Sequence, residues 1–90
     1  MVKVRFYAWL RESIGRRELI IDDCPETLLE LFLMLRKILG EKARAIFDDD
    51  HVRSEIMIGV NNVLIKKMDI GNIKIRKEDV VDIMPMGSGG

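Results

Sequence analysis

One amphipathic helix stands between two sets of short apolar strands, and that order restricts the fold more than any other feature of the chain. Thr27-Leu28-Leu29-Glu30 has the form of a capping box. The Thr27 hydroxyl is placed to accept from a first-turn amide, and Glu30 to reach back over the helix start. Leu28, Leu31, Phe32, Leu35, Ile38 and Leu39 follow at helical spacing. Gly40 is a natural stop. Leu29, Leu33 and Met34 widen the apolar face beyond one stripe. They are expected to meet a shorter segment running from Glu41 to Phe47, which makes them core rather than part of a cofactor site.

Before the helix, Val2 to Ala8 alternates strictly. Val2, Val4, Phe6 and Ala8 share one side, and Lys3, Arg5 and Tyr7 the other. Trp9 to Gly15 reads as a turn or short helical segment, with Gly15 suited to a reversal. Arg17 to Asp22 is a second strand, close enough to pair with the first as an antiparallel hairpin. After the helix, Asp48-Asp49-Asp50-His51 breaks the pattern as a solvated loop. Ile56 to Val60 and Val63 to Ile65 are two strands joined at Asn61-Asn62, since Asn tolerates positive φ. Lys66 to Lys77 connects onward with Met68, Ile70, Ile73 and Ile75 as apolar anchors. Val80 to Met84 is the last strand, and Pro85 is expected to end it by withdrawing a ladder donor.

Strand, strand, helix, strand, strand, strand is an α+β order in which one helix must cover one face of a sheet. The helix between the first hairpin and the later strands implies a crossover, hence a mixed sheet. A β-grasp (ubiquitin-like) fold satisfies this, with about five strands packed on one main helix. In it the last strand lies in mid-sheet, parallel to the first. Residues 1–86 form this domain and residues 87–90 a flexible tail.

Composition sets outer bounds on function. A chain of 90 residues makes one domain. Charged residues amount to 33%, with 15 basic against 15 acidic, so the basic excess typical of nucleic-acid binding is missing. No apolar run reaches membrane-spanning length and no secretory h-region opens the chain. Cys24 is the only cysteine, so no disulfide forms within the chain. These features give an expectation of a cytoplasmic protein that engages neither nucleic acid nor membrane. Consecutive acids at Asp48 to Asp50 lack the spacing of a calcium loop, His51 is the only histidine, and Ser13, Ser54 and Ser88 sit in no hydrolase motif. Neither a catalytic constellation nor a metal site is expected.

Gly87-Ser88-Gly89-Gly90 holds three of the seven glycines. Such a segment adds no side chain to a core. A frayed terminus or a glycine-serine linker has this composition. So does a thin tail able to enter a narrow slot and present a carboxylate with no Cβ beside it. Met86 to Gly90 reach roughly 17 Å when extended.

Three motifs together carry a family resemblance. Val4-Arg5-Phe6-Tyr7-Ala8 followed by Leu10-Arg11-Glu12 and Gly15, Val60-Asn61-Asn62, and Asp79-Val80-Val81 leading to Pro85 and Gly89-Gly90 resemble the MoaD-type sulfur carriers. These are the small subunits of molybdopterin synthase, within the MoaD/ThiS ubiquitin-like family. The resemblance spans nearly the whole chain and is strongest at both ends.

The resemblance implies that an E1-like activating enzyme of the MoeB type adenylates the Gly90 carboxylate with ATP. Sulfur transfer then gives a thiocarboxylate, with Gly89 keeping the approach slender. The large synthase subunit, of the MoaE type, would use it to deliver sulfur to a pterin precursor on the way to molybdenum or tungsten cofactor. The carrier would bind no cofactor; ATP would be used by the partner. By matched position the resemblance places partner contacts at Tyr7, Arg11, Leu64 and Met84, and near the tail at Pro85 and Met86. The family commonly carries two prolines and an apolar residue before its diglycine. Pro85-Met86-Gly87-Ser88 departs from that, which opens the alternatives of an archaeal modifier joined to lysines through Gly90 or a carrier for tRNA thiolation. The chain is longer than thiazole carriers usually are.

Overall fold

A computed structural model of the protein describes residues 1–86. The expected tail, residues 87–90, lies outside the described residues. Five strands form one sheet in the order β2-β1-β7-β5-β6. They are β1 (Val2–Phe6), β2 (Glu18–Ile21), β5 (Ile56–Val60), β6 (Val63–Leu64) and β7 (Val80–Pro85). β1 pairs antiparallel with β2 and parallel with β7, so the sheet is mixed. β5 runs antiparallel to both β7 and β6. The main helix, α2 (Leu28–Leu39), covers one face. This is the β-grasp arrangement, with the last strand of the sequence in mid-sheet.

Alternation decides which side chains meet the helix. Val2, Val4 and Phe6 of β1 and Val81 and Ile83 of β7 are buried, as are Ile56 and Ile58 of β5. They pack with Leu28, Leu31, Phe32 and Leu35 of α2 in one continuous core. The capping box forms at the helix start. The Glu30 amide donates to Thr27 Oγ1 at 3.2 Å, while Glu30 Oε2 accepts from the Glu26 amide at 2.8 Å, one residue further back than expected. The Leu28 amide also donates to Ile73 O and the Ile75 amide to Glu26 O, both at 2.9 Å, which ties the later connector to the helix start. Gly40 closes the helix at φ 61°, ψ −130°.

The hairpin turn is as expected: Asn61 and Asn62 have φ of 50° and 70°. Asn61 also holds the start of β7, since its amide group donates to Asp79 Oδ1 and its Oδ1 accepts from the Val80 amide, each at 2.9 Å.

Several expectations are corrected. β1 stops at Phe6, because Ala8 turns out of the ladder at φ 52°, ψ −136° and is exposed at the start of α1 (Trp9–Ile14). Asp48 to His51 is a small hairpin, β3 (Phe47–Asp48) against β4 (His51–Val52), with Asp49 at φ 50° in the turn. Ile38, Leu29 and Leu33 are about half exposed, because the sheet covers only the stripe of α2 carrying Leu28, Leu31 and Leu35. Among the connector residues, Ile75 is buried but Met68 is 83% exposed and anchors nothing. Pro85, not Met84, is the last residue of β7. It pairs with Ile56, and the ladder continues one step further through the Met86 amide and Glu55 O. A proline is tolerated there because the sheet asks its position for no amide donor.

Candidate docking face of the sheet

The face of the sheet turned away from α2 carries most of the residues expected to meet partners. In register across it run Glu18, Arg5, Asp82, Gly59 and Leu64. One step along, Met57 of β5 stands opposite Met84 of β7. Gly59 has no side chain, and the Met84 methyl lies over it, 3.7 Å from the place a Cβ would take. Leu64 is 59% exposed on the outermost strand, while Met84 and Met57 are half-buried. Thioether side chains of this kind adapt their shape to a partner at small cost.

Tyr7 follows β1, and its amide donates to Ile83 O at 3.2 Å, so the backbone stays against β7 past the end of the strand. Its hydroxyl donates to Asp82 Oδ1 at 2.9 Å. Asp82 is itself only 7% exposed although it lies on the outer face. Arg5 Nε lies 3.4 Å from the same carboxylate oxygen without the geometry of a hydrogen bond. Burial of the phenol raises the Tyr7 pKa above 10.0; the hydrogen bond to Asp82 and its charge push the same way, while Arg5 and Arg11 oppose them. Tyr7 is therefore a neutral donor at physiological pH. The Arg11 side chain folds back from α1, donating from Nε to Phe6 O at 3.0 Å, with its guanidinium 5.7 Å from the Tyr7 ring centroid. That distance is within reach of a cation–π contact.

The structure thus brings Tyr7 and Arg11 together, and places Met84 and Leu64 on the same face. Pro85 is different. Its parity matches Val81 and Ile83, and it is buried on the helix side, so its side chain offers nothing to this face. Met86 is 52% exposed. Gly89 and Gly90 lie outside the described residues.

Two contributors were not picked out from the sequence: Asp82, which anchors Tyr7 and approaches Arg5, and Met57, which doubles the thioether surface of Met84. The signal for both was present. Asp82 is the only charged residue within Val80 to Met84, and Met57 alternates with the apolar Ile56 and Ile58. Among the described residues no three His, Cys, Asp or Glu side chains gather where they could hold a metal ion, and no helix is long and apolar enough to cross a membrane.

The sequence that builds this sheet, with its last strand at the centre and one covering helix, matches the model of the ThiS family over residues 4–90. The chain belongs to the ThiS family.

Solved structures agree with a ThiS-family fold. The solution structure of small archaeal modifier protein 1 from Methanosarcina acetivorans is 27% identical, with a TM-score of 0.78 over 99% of this chain and 95% of that one. The BexX/CysO complex of Amycolatopsis orientalis contains a chain that is 18% identical, with a TM-score of 0.78 over 100% of both chains. A protein of Pyrococcus furiosus provisionally identified as molybdopterin converting factor, subunit 1, is 22% identical, with a TM-score of 0.65 over 94% and 95% of the two chains. No curated protein matches the sequence.

Proposed function

We propose that the protein is a ubiquitin-like sulfur carrier. An E1-like enzyme of the MoeB type adenylates the Gly90 carboxylate, which attacks the α-phosphorus of ATP and expels pyrophosphate; sulfide-level sulfur from a donor then displaces AMP from the acyl adenylate and leaves a thiocarboxylate. Adenylation is needed because a carboxylate lacks a leaving group, and AMP supplies one. The observation that carries this reading is the placement of β7. It is held on both sides by β1 and β5, so the residues after Met86 issue from a rigid central element beside the face that holds Tyr7, Leu64 and Met84. A partner seated on that face would find the tail at a fixed origin, with much of the positioning entropy already lost.

For the acceptor, the preferred reading is a pterin precursor within a MoaE-type large subunit, on the way to molybdenum or tungsten cofactor. It rests on the motif resemblance and on the similarity to the Pyrococcus furiosus protein. The similarity to a small archaeal modifier protein favours a second reading, in which Gly90 is joined to lysines of other proteins. The complex containing CysO supports the general expectation of a protein partner.

The test is intact mass spectrometry after incubation with a MoeB-type enzyme, ATP and a sulfur donor. The expected product has one C-terminal oxygen replaced by sulfur, and loses it when a MoaE-type subunit and the pterin precursor are added. Isopeptide adducts on other proteins, with no sulfur transfer to the pterin, would select the modifier reading. Absence of both products under these conditions would refute the proposal.

A further inference from the structure

The strongest unexplained surface lies on the other side of the molecule from the docking face. Leu29 and Leu33, expected in the core, are 47% and 53% exposed. With Arg36 they follow one outer stripe of α2 at steps of four and three residues, the spacing by which a helix presents a ridge to another helix. The stripe forms one wall of a cavity of about 620 Å³ whose opposite wall includes Phe47, Val52, Ile70 and Gly71. A second hollow of about 300 Å³ continues past Arg36 and Phe47 to Gly40 and Arg44. Phe47 is fixed from both sides, edge-on to Phe32 at 5.4 Å between ring centroids and capped by the Arg36 guanidinium at 4.6 Å.

The charges on this groove are unequal. Arg36, Arg44 and Lys67 line it, against Asp50 as its one carboxylate, with His51 also on the wall. None of the three cations is in an ion pair among the described residues. Lys67 donates to the carbonyls of Arg53 and Ser54 at 2.7 and 3.2 Å, which holds its ammonium in place without neutralising it. From Leu29 to Gly40 the groove follows α2 for roughly 16 Å, about three helical turns.

We infer that this groove is a second docking site, and that its occupant is an amphipathic helix of a partner protein with leucine-type residues on one stripe and acidic residues along its flank. The apolar floor and the helical ridge fit the buried stripe, and the three cations fit the acidic flank. Because it lies on the covering helix and not on the outer face of the sheet, it extends the proposed function without depending on it.

The probes are two synthetic peptides of about eighteen residues, long enough to fold as helices when bound. Both carry leucine on one stripe; one has glutamate along the flank and the other lysine. Amide chemical-shift mapping on the whole chain is expected to move Leu33, Phe47, Val52 and Gly71 with the glutamate peptide, and the lysine peptide should bind at least about tenfold more weakly. Gly71→Trp fills the groove: a Cβ at Gly71 meets no atom within 4 Å and its backbone is not left-handed. It should weaken the glutamate peptide at least about tenfold. Leu33→Asp, at an exposed site, is the second variant and should do the same. Arg36→Glu should shift preference toward the lysine peptide.

The inference is overturned if neither peptide moves these amides, or if both bind equally and the variants change nothing. It is also overturned if decanoate occupies the groove while the glutamate peptide does not. Light scattering that shows a dimer dissociated by Leu33→Asp would overturn it too, by assigning the groove to a second copy of the chain. Thiocarboxylate formation, measured in parallel, should be unchanged in Gly71→Trp, which separates failure here from failure of the carrier reading.

Discussion

Tyr7 is the residue on which the candidate docking face is built. Its hydroxyl is committed to Asp82, an outer-face carboxylate that neighbouring side chains almost cover. A hydrogen bond to a charged acceptor contributes about 1.5–3 kcal/mol net, so Tyr7→Phe is expected to destabilise at neutral pH. The pH dependence has a defined sign. The folded-state pKa of Tyr7 is raised above its ordinary 10.0, so its contribution is complete below the unfolded value and is lost as pH climbs through the folded one. Urea unfolding of both proteins between about pH 8 and about pH 11 checks this. The gap between wild type and Tyr7→Phe should narrow above pH 10.0; a gap that stays constant or widens would show that Tyr7 does not titrate in this way. The outward direction of Tyr7 was legible from the alternation of Val4, Arg5 and Phe6. Its tie to Asp82 was not, because it joins residues 75 positions apart across a parallel pair.

Element boundaries show which signals are local. Thr27, Glu30 and Gly40 marked the limits of α2 from the sequence alone, because capping is chemistry between near neighbours. The β3–β4 hairpin was missed for a related reason. Its strands are two residues each, too short to show alternation, and its acids read as solvated loop. The outer stripe of α2 was assigned to the core because helical spacing shows that a face is apolar without showing how wide a surface covers it. Two helix ends use nearly the same backbone conformation with different residues. Ala8 before α1 has φ 52°, ψ −136°, and Gly40 after α2 has φ 61°, ψ −130°. Only glycine adopts this region without steric cost, which is of order 1–3 kcal/mol for other residues. Ala8→Gly is therefore expected to raise stability by about 1 kcal/mol after the entropy of the added glycine is subtracted. Gly40→Ala should lower it by about 1–3 kcal/mol, although a methyl there meets no other atom within 4 Å. Midpoints of chemical unfolding for the two variants, measured against wild type, decide both; a shared direction of change would contradict the argument.

At the scale of the whole molecule the two faces of the sheet differ in what covers them. The inner face packs on α2 in the core, and the outer face carries Tyr7, Met57, Met84 and Leu64, which the core leaves partly or largely exposed. Leu64→Asp, at a largely exposed site, is expected to leave the unfolding free energy measured in urea within about 0.5 kcal/mol of wild type. If the outer face docks the activating enzyme, the same change should slow thiocarboxylate formation at least about tenfold, more so with Met84→Asp added. Met68→Asp, equally apolar and 83% exposed on the connector, is the control and should load at the normal rate. Equal rates in all three would move the docking surface elsewhere. The strand order was legible because one helix between two strand groups leaves few layered solutions. The sheet is completed by the strand that comes last in the sequence. As the chain leaves the ribosome, β1 and β5 have no common neighbour until Val80–Pro85 emerges. Non-local pairing of this kind delays folding until Val80–Pro85 is free to pair. If the proposed activating enzyme recognises the assembled sheet, it would pass over any nascent chain from which Val80–Pro85 has yet to emerge, and synthesis itself would time its action.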